Sequence, residues 1–72
     1  MKIRFTYHAQ VSMGERNISA SRVTDTLRRP DVTGPAKGEA FAYTKAFGSK
    51  KLRVIAKEAR KAEYVIITAY YL

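Results

Sequence analysis

The sequence predicts an α+β domain, and three observations carry that expectation. Residues 2–5, KIRF, alternate charged and apolar side chains, which is the period of a half-buried strand. Two stretches of helical spacing follow, each introduced by a hydroxyl residue suited to cap a helix. From residue 39 onward the chain is rich in β-branched and aromatic residues and is interrupted by two turn-like segments. Helices segregated from consecutive strands belong to the α+β class. The expected order is a short N-terminal strand, two helices and a three-stranded antiparallel meander, in a single domain spanning residues 1–72.

Each element has a local reason. Thr6 can cap a first helix over 7–16, with Tyr7, His8 and Ala9 in its first turn. Ala9 and Met13, four apart, face inward together. Gly14 weakens this helix, and Asn17-Ile18 ends it. Ser19 opens a second helix in which Ile18 before the cap and Val23 form a hydrophobic staple. Val23 and Leu27 continue the inward stripe. Arg28 and Arg29 suit the negative end of the helix dipole, and Pro30 stops the helix. PDVTGPAKG, residues 30–38, holds both prolines and two of the four glycines, and reads as a loop. Strands follow at 39–47 (EAFAYTKAF), 51–58 (KLRVIAKE) and 63–72 (EYVIITAYYL), separated by turns at GSK, 48–50, and ARKA, 59–62.

A chain of 72 residues without cysteine buries a thin core and has neither disulfides nor a thiolate metal site to brace it. Such a domain gains from a partner, either a second copy or another chain. The N-terminus, MKIRFTYHAQ, lacks an apolar signal-peptide core. The longest apolar run, YVIITAYYL, is too short to span a bilayer. The expectation is a soluble cytoplasmic protein with no membrane attachment.

Charge is the strongest global signal. Fourteen Lys and Arg against six Asp and Glu give a net +8, and such a field attracts polyanions and speeds their encounter. Nucleic acid is the first partner class, and an acidic protein the second. The plain alternative is a basic surface that serves stability.

The strands suggest where a partner would bind. Helices on one side should leave the other side of an antiparallel sheet polar. If Val54 pairs with Ile67, Arg53 and Thr68 share the opposite face, and Lys57 lies across from Tyr64. A three-residue GSK loop puts Lys45 opposite Arg53, on one face with Phe41, Tyr43 and Phe47; a four-residue loop reverses that parity. The first option yields an open face of Lys45, Arg53, Lys57, Thr68, Tyr43 and Tyr70. Cations interleaved with aromatic rings suit single-stranded RNA, because bases stack on rings while phosphates meet Lys and Arg. The competing reading is an ordinary solvated sheet face.

Most catalytic constellations are missing. One histidine and scattered acids make no convincing metal site, and no Gly-rich loop precedes a helix to cradle a nucleotide. Close acid pairs for glycosidase chemistry are absent. Ser12 lies one turn from His8, yet nothing resembles a nucleophile elbow. Metal-independent cleavage of RNA remains, because RNA supplies its own 2′-hydroxyl nucleophile and the protein need only move protons and stabilise charge. His8 near a helix N-terminus is favoured in the neutral form that can accept a proton. A lone exposed histidine can equally be inert. No cofactor is expected.

HA at 8–9, ER-x-IS at 15–19, a valine helix ending near RRP, Y-x-K at 43–45, LRVI at 52–55 and YVIIT-x-Y at 64–70 together resemble a family of small prokaryotic proteins known as domain of unknown function 4258. The resemblance covers nearly the whole chain. It implies a relative of RelE-type toxins and barnase-like ribonucleases, with the same strand–helix–helix–three-strand order. It further implies an RNA-cleaving toxin, acting on free or ribosome-bound message and encoded beside a neutralising antitoxin. In that reading His8 is the general base or acid, and Arg16, Lys45 and Arg53 hold phosphate. Thr68 and Tyr70 orient the scissile group or relay a proton, while Arg4, Tyr43, Lys51 and Lys57 contact RNA. The alternative is a non-catalytic basic module of the same fold that holds RNA or protein.

Overall fold

The computed structural model describes residues 1–72. It consists of β1 (Lys2–Phe5), α1 (Tyr7–Arg16), α2 (Ala20–Arg28), β2 (Val32–Pro35), β3 (Phe41–Phe47), β4 (Lys50–Arg60) and β5 (Glu63–Tyr71). The strands form one five-stranded sheet in the order β1-β5-β4-β3-β2. β1 runs parallel to β5, and every other neighbouring pair is antiparallel. The α+β class and both helices agree with the sequence reading. The sheet is larger than the expected meander: β1 joins it through β5, and the segment expected to be a loop contributes β2.

β2 exists despite its glycine and proline because it is an edge strand. Pro35 cannot donate to a ladder, and a sheet edge is where that deficit is tolerated. Asp31 secures the entry to β2: its backbone N–H donates to Thr44 O at 2.8 Å, and its carboxylate accepts from Ala46 N–H at 2.8 Å.

The helices start where local chemistry says they should. Thr6 Oγ1 accepts from Ala9 N–H at 3.1 Å and donates to Ile66 O at 2.8 Å. One side chain thus caps α1 and ties its start to β5. Asn17 ends α1 in the left-handed region, φ 54°, a conformation asparagine tolerates better than most residues. Ser19 caps α2 by accepting from Arg22 N–H at 3.1 Å. Ile18 and Val23, the expected staple, are both buried.

The helices pack on one face of the sheet, α1 against β5 and α2 against β4 and β3. The core between them holds Ala9, Ile18, Val23, Leu27, Leu52, Val54, Ala56, Ile66 and Ala69. Only 13 of 72 residues are buried, so the stability margin of so small a core is narrow. No helix is long and apolar enough to cross a membrane.

Two features of the register decide which residues share a face. Phe47 pairs with Lys50, so the β3–β4 turn is Gly48-Ser49 alone, shorter than either loop length weighed from the sequence. Gly48 takes φ +64°, as a two-residue hairpin with glycine at its first central position requires. In β5, the register slips between Ile55 and Ala56 of β4, leaving Ile67 as an extra residue. Val54 pairs with Ala69, not Ile67, and Lys57 pairs with Val65, not Tyr64.

Candidate functional site

Residues paired across a ladder point to the same side of the sheet, so the register assigns each candidate to a face. Leu52, Val54 and Ala56 are fully buried beneath the helices. Their β3 partners, Lys45, Tyr43 and Phe41, therefore lie on that same side. The expectation that Lys45 and Tyr43 share a face with Arg53 is overturned. The two-residue turn sets β3 one position away from the three-residue register, and a one-residue shift exchanges the faces.

Lys45 is accordingly spent elsewhere. It is half-buried, and its Nζ donates to Arg29 O at 3.0 Å, at the C-terminal end of α2. Tyr43 stands edge-on to Tyr64, ring centroids 6.1 Å apart. Burial, then the neighbouring Tyr64 and Glu58, push its phenol above the usual tyrosine range.

The opposite face is open. Arg53 sits at its centre, between Thr44 on β3 and Tyr70 on β5. Its Nε donates to Thr44 Oγ1 at 3.3 Å, which fixes the guanidinium plane while leaving its terminal nitrogens free of hydrogen bonds within the protein. Thr44 is itself 8% exposed and was not singled out in the sequence; the pairing of β3 with β4 is what brings it beside Arg53. Lys51 and Lys57 lie on the same side of β4, two and four residues from Arg53. Lys57 pairs with Val65, which in turn pairs with Arg4 of β1, so Arg4 joins this face. Ile55 and the 64% exposed Val32, the partner of Thr44, add apolar surface. The result is a row of Lys51, Arg53 and Lys57 along β4, flanked by Tyr70 and Arg4.

The charge of this face is not neutralised from within. The side-chain hydrogen bonds accepted by carboxylates come from backbone N–H groups, Ala46 to Asp31 and Ala62 to Glu58. None comes from a lysine or an arginine.

The remaining candidates fall outside this row. Thr68 pairs with Ile55, but it adjoins the extra residue Ile67, and its Oγ1 donates to Ser12 Oγ of α1 at 3.4 Å. It ties the first helix to β5. His8 is exposed in the first turn of α1, and Arg16 is exposed in its last. Neither side chain makes a hydrogen bond to the open face. The structure therefore brings Arg53, Tyr70, Lys51, Lys57 and Arg4 together, and separates from them Lys45 and Tyr43, on the covered side of β3, and His8 and Arg16, at the two ends of α1.

No curated protein and no solved structure matches the chain. The family assignment rests on a model that covers the first helix through to the last strand: residues 5–71 match the family described as domain of unknown function 4258, and the chain belongs to it.

Proposed function

We propose that this protein acts on RNA, as a toxin-type endoribonuclease that works without a metal. The observation that carries the reading is Arg53, held by Thr44 beside Tyr70 on an open face whose other cations have no internal counter-ions. A single strand lying along β4 meets Lys51, Arg53, Lys57 and Arg4 with its phosphates. Tyr70, Ile55 and Val32 offer surface for the bases. Cation rows interleaved with aromatic and apolar groups hold single strands in this way.

The proposed reaction needs no external reactant. The 2′-hydroxyl attacks the adjacent phosphorus, the bond from phosphorus to the 5′-oxygen breaks, and a 2′,3′-cyclic phosphate and a 5′-hydroxyl remain. Arg53 stabilises the extra negative charge on the pentacoordinate phosphorus. One group must remove the 2′ proton and another must protonate the departing 5′-oxygen. Tyr70 adjoins Arg53 and is assigned the proton donation; the 2′ proton passes to solvent water, because His8 stands on α1, on the covered side of the sheet. The strand–helix–helix–antiparallel order supports kinship with RelE-type toxins and barnase-like ribonucleases. With that kinship come a cytoplasmic location and a neighbouring antitoxin.

The test is cleavage of free and ribosome-bound RNA in excess chelator, with the new ends analysed chemically. Cyclic-phosphate ends that vanish in Arg53→Ala and fall sharply in Tyr70→Phe, with His8→Ala unaffected, support the proposal. Uncut RNA in every condition, with no growth arrest on expression, sinks the enzyme. One observation favours a second reading, in which the face holds RNA without cutting it: His8, the one histidine of the chain, stands on α1, across the sheet from Arg53. Salt-dependent RNA binding that is lost in Arg53→Ala, with no cleavage products from the wild-type protein, would select that reading.

A further inference from the structure

The side of the sheet away from the open face carries a second concentration of charge. Asp25, Arg28, Arg29 and Lys45 line a cleft of about 350 Å³ at the C-terminal end of α2, and no apolar residue contributes to it. A helix C-terminus attracts cations because its last carbonyls are unpaired, and Lys45 meets that need by donating to Arg29 O at 3.0 Å. Two further guanidiniums in the same cleft exceed what the helix end requires. Among the four side chains, only Lys45 makes a hydrogen bond. Three cations against one carboxylate leave the cleft at a net +2.

We propose that this cleft binds a phosphate monoester, with Arg28, Arg29 and Lys45 on the phosphate and Asp25 accepting from a hydroxyl of the attached group. A monoester carries about −1.5 to −2 at neutral pH, which balances the cleft, whereas a phosphodiester carries only one charge. Arginine forks match phosphate oxygens in pairs. Asp25 sets the preference: it repels bare polyanions but rewards a phosphate whose carbon framework bears a hydroxyl, as a sugar phosphate does. That ligand can be the 5′-phosphorylated end of an RNA or a small phosphorylated sugar or nucleotide. The site stands independently of the function proposed for the open face.

The experiment is a titration of ¹⁵N-labelled protein with inorganic phosphate and then with ribose 5-phosphate, at constant ionic strength. The Arg28 and Arg29 Nε–H signals report on the cleft. Saturable shifts are expected there, with ribose 5-phosphate the tighter ligand. Arg28→Gln should weaken both ligands about tenfold, the loss of one charge-assisted contact. Asp25→Asn should abolish the preference for the sugar phosphate. An RNA octamer with and without a 5′-phosphate distinguishes the sources: tighter binding that depends on the phosphate and on Arg28 identifies the RNA end, and no difference identifies a small molecule. Shifts that never saturate, that chloride reproduces, or that persist unchanged in folded Arg28→Gln overturn the site. Loss of RNA binding with the phosphate titration intact would break the proposed function alone. The converse result would break this site alone.

Discussion

The two faces of the sheet are built from the same strands and differ by a single step along each of them. On β4, Leu52, Val54 and Ala56 are sealed under the helices, while Lys51, Arg53 and Lys57 look the other way. The covered face is where the apolar area that stabilises the fold is buried. The open face contributes little to stability and holds its charges unpaired. Alternation thus separates what folds the chain from what the chain offers to a polyanion, and each side should respond to substitution in its own way.

The largest effect is expected from Leu52→Ala. Truncating a fully buried leucine costs about 2–5 kcal/mol, against a total near 4–10 kcal/mol for a domain of this length. Urea unfolding should show a large drop or an unfolded protein. Arg53→Ala should do the reverse: stability within about 1 kcal/mol of wild type, but RNA affinity lowered about tenfold and the salt dependence reduced by about one phosphate contact. If Arg53→Ala unfolded the protein as readily as Leu52→Ala, the division between faces would be wrong.

Thr68→Val sharpens the boundary, because Thr68 is hydrogen-bonded to the 4% exposed Ser12. It should cost about 1 kcal/mol of stability and leave RNA affinity unchanged; a clear loss of affinity with full stability would return Thr68 to the site. The smallest effect concerns Tyr43, whose folded phenol titrates above the ordinary value near 10 because of burial, Tyr64 and Glu58. A raised folded value means that the stability from this group is fully present below the unfolded value. It is lost as pH rises through the folded one. The thermal unfolding midpoint should therefore fall above about pH 10, and Tyr43→Phe should flatten that decline.

How much of this was legible in the sequence follows from how local each signal is. The helix ends were legible because Thr6, Asn17, Ser19 and Pro30 act within a turn of themselves. β2 was hidden, since Gly34 and Pro35 are loop residues everywhere except at an edge. The pairing of β1 with β5 was not legible either: Lys2 meets Glu63, and no local pattern reports a partner that distant. The site was half-visible. Arg53, Tyr70, Lys51, Lys57 and Arg4 followed from alternation within single strands, which survives any even shift of register. Lys45 and Tyr43 depended on the length of one turn, and that turn is two residues long. Thr68 depended on a slip at Ile67 that the apolar run YVIIT does not announce. Thr44 was legible only through its strand pairing, because a lone threonine carries no sign of the arginine beside it.

The parallel pairing of β1 with β5 also sets a schedule for synthesis. Residues 2–5 are made before the rest of the domain, yet their hydrogen-bonding partner is residues 63–66. Closing so long a span before any reward arrives is slow. The β3–β4 hairpin can form early, but α1 lacks the strand it mainly packs on until β5 has been made, and Arg53 has no Tyr70 beside it. On a translating ribosome, therefore, the complete face cannot exist until nearly the whole domain has left the exit tunnel. A chain cut short before β5 would carry all fourteen Lys and Arg but not the complete face.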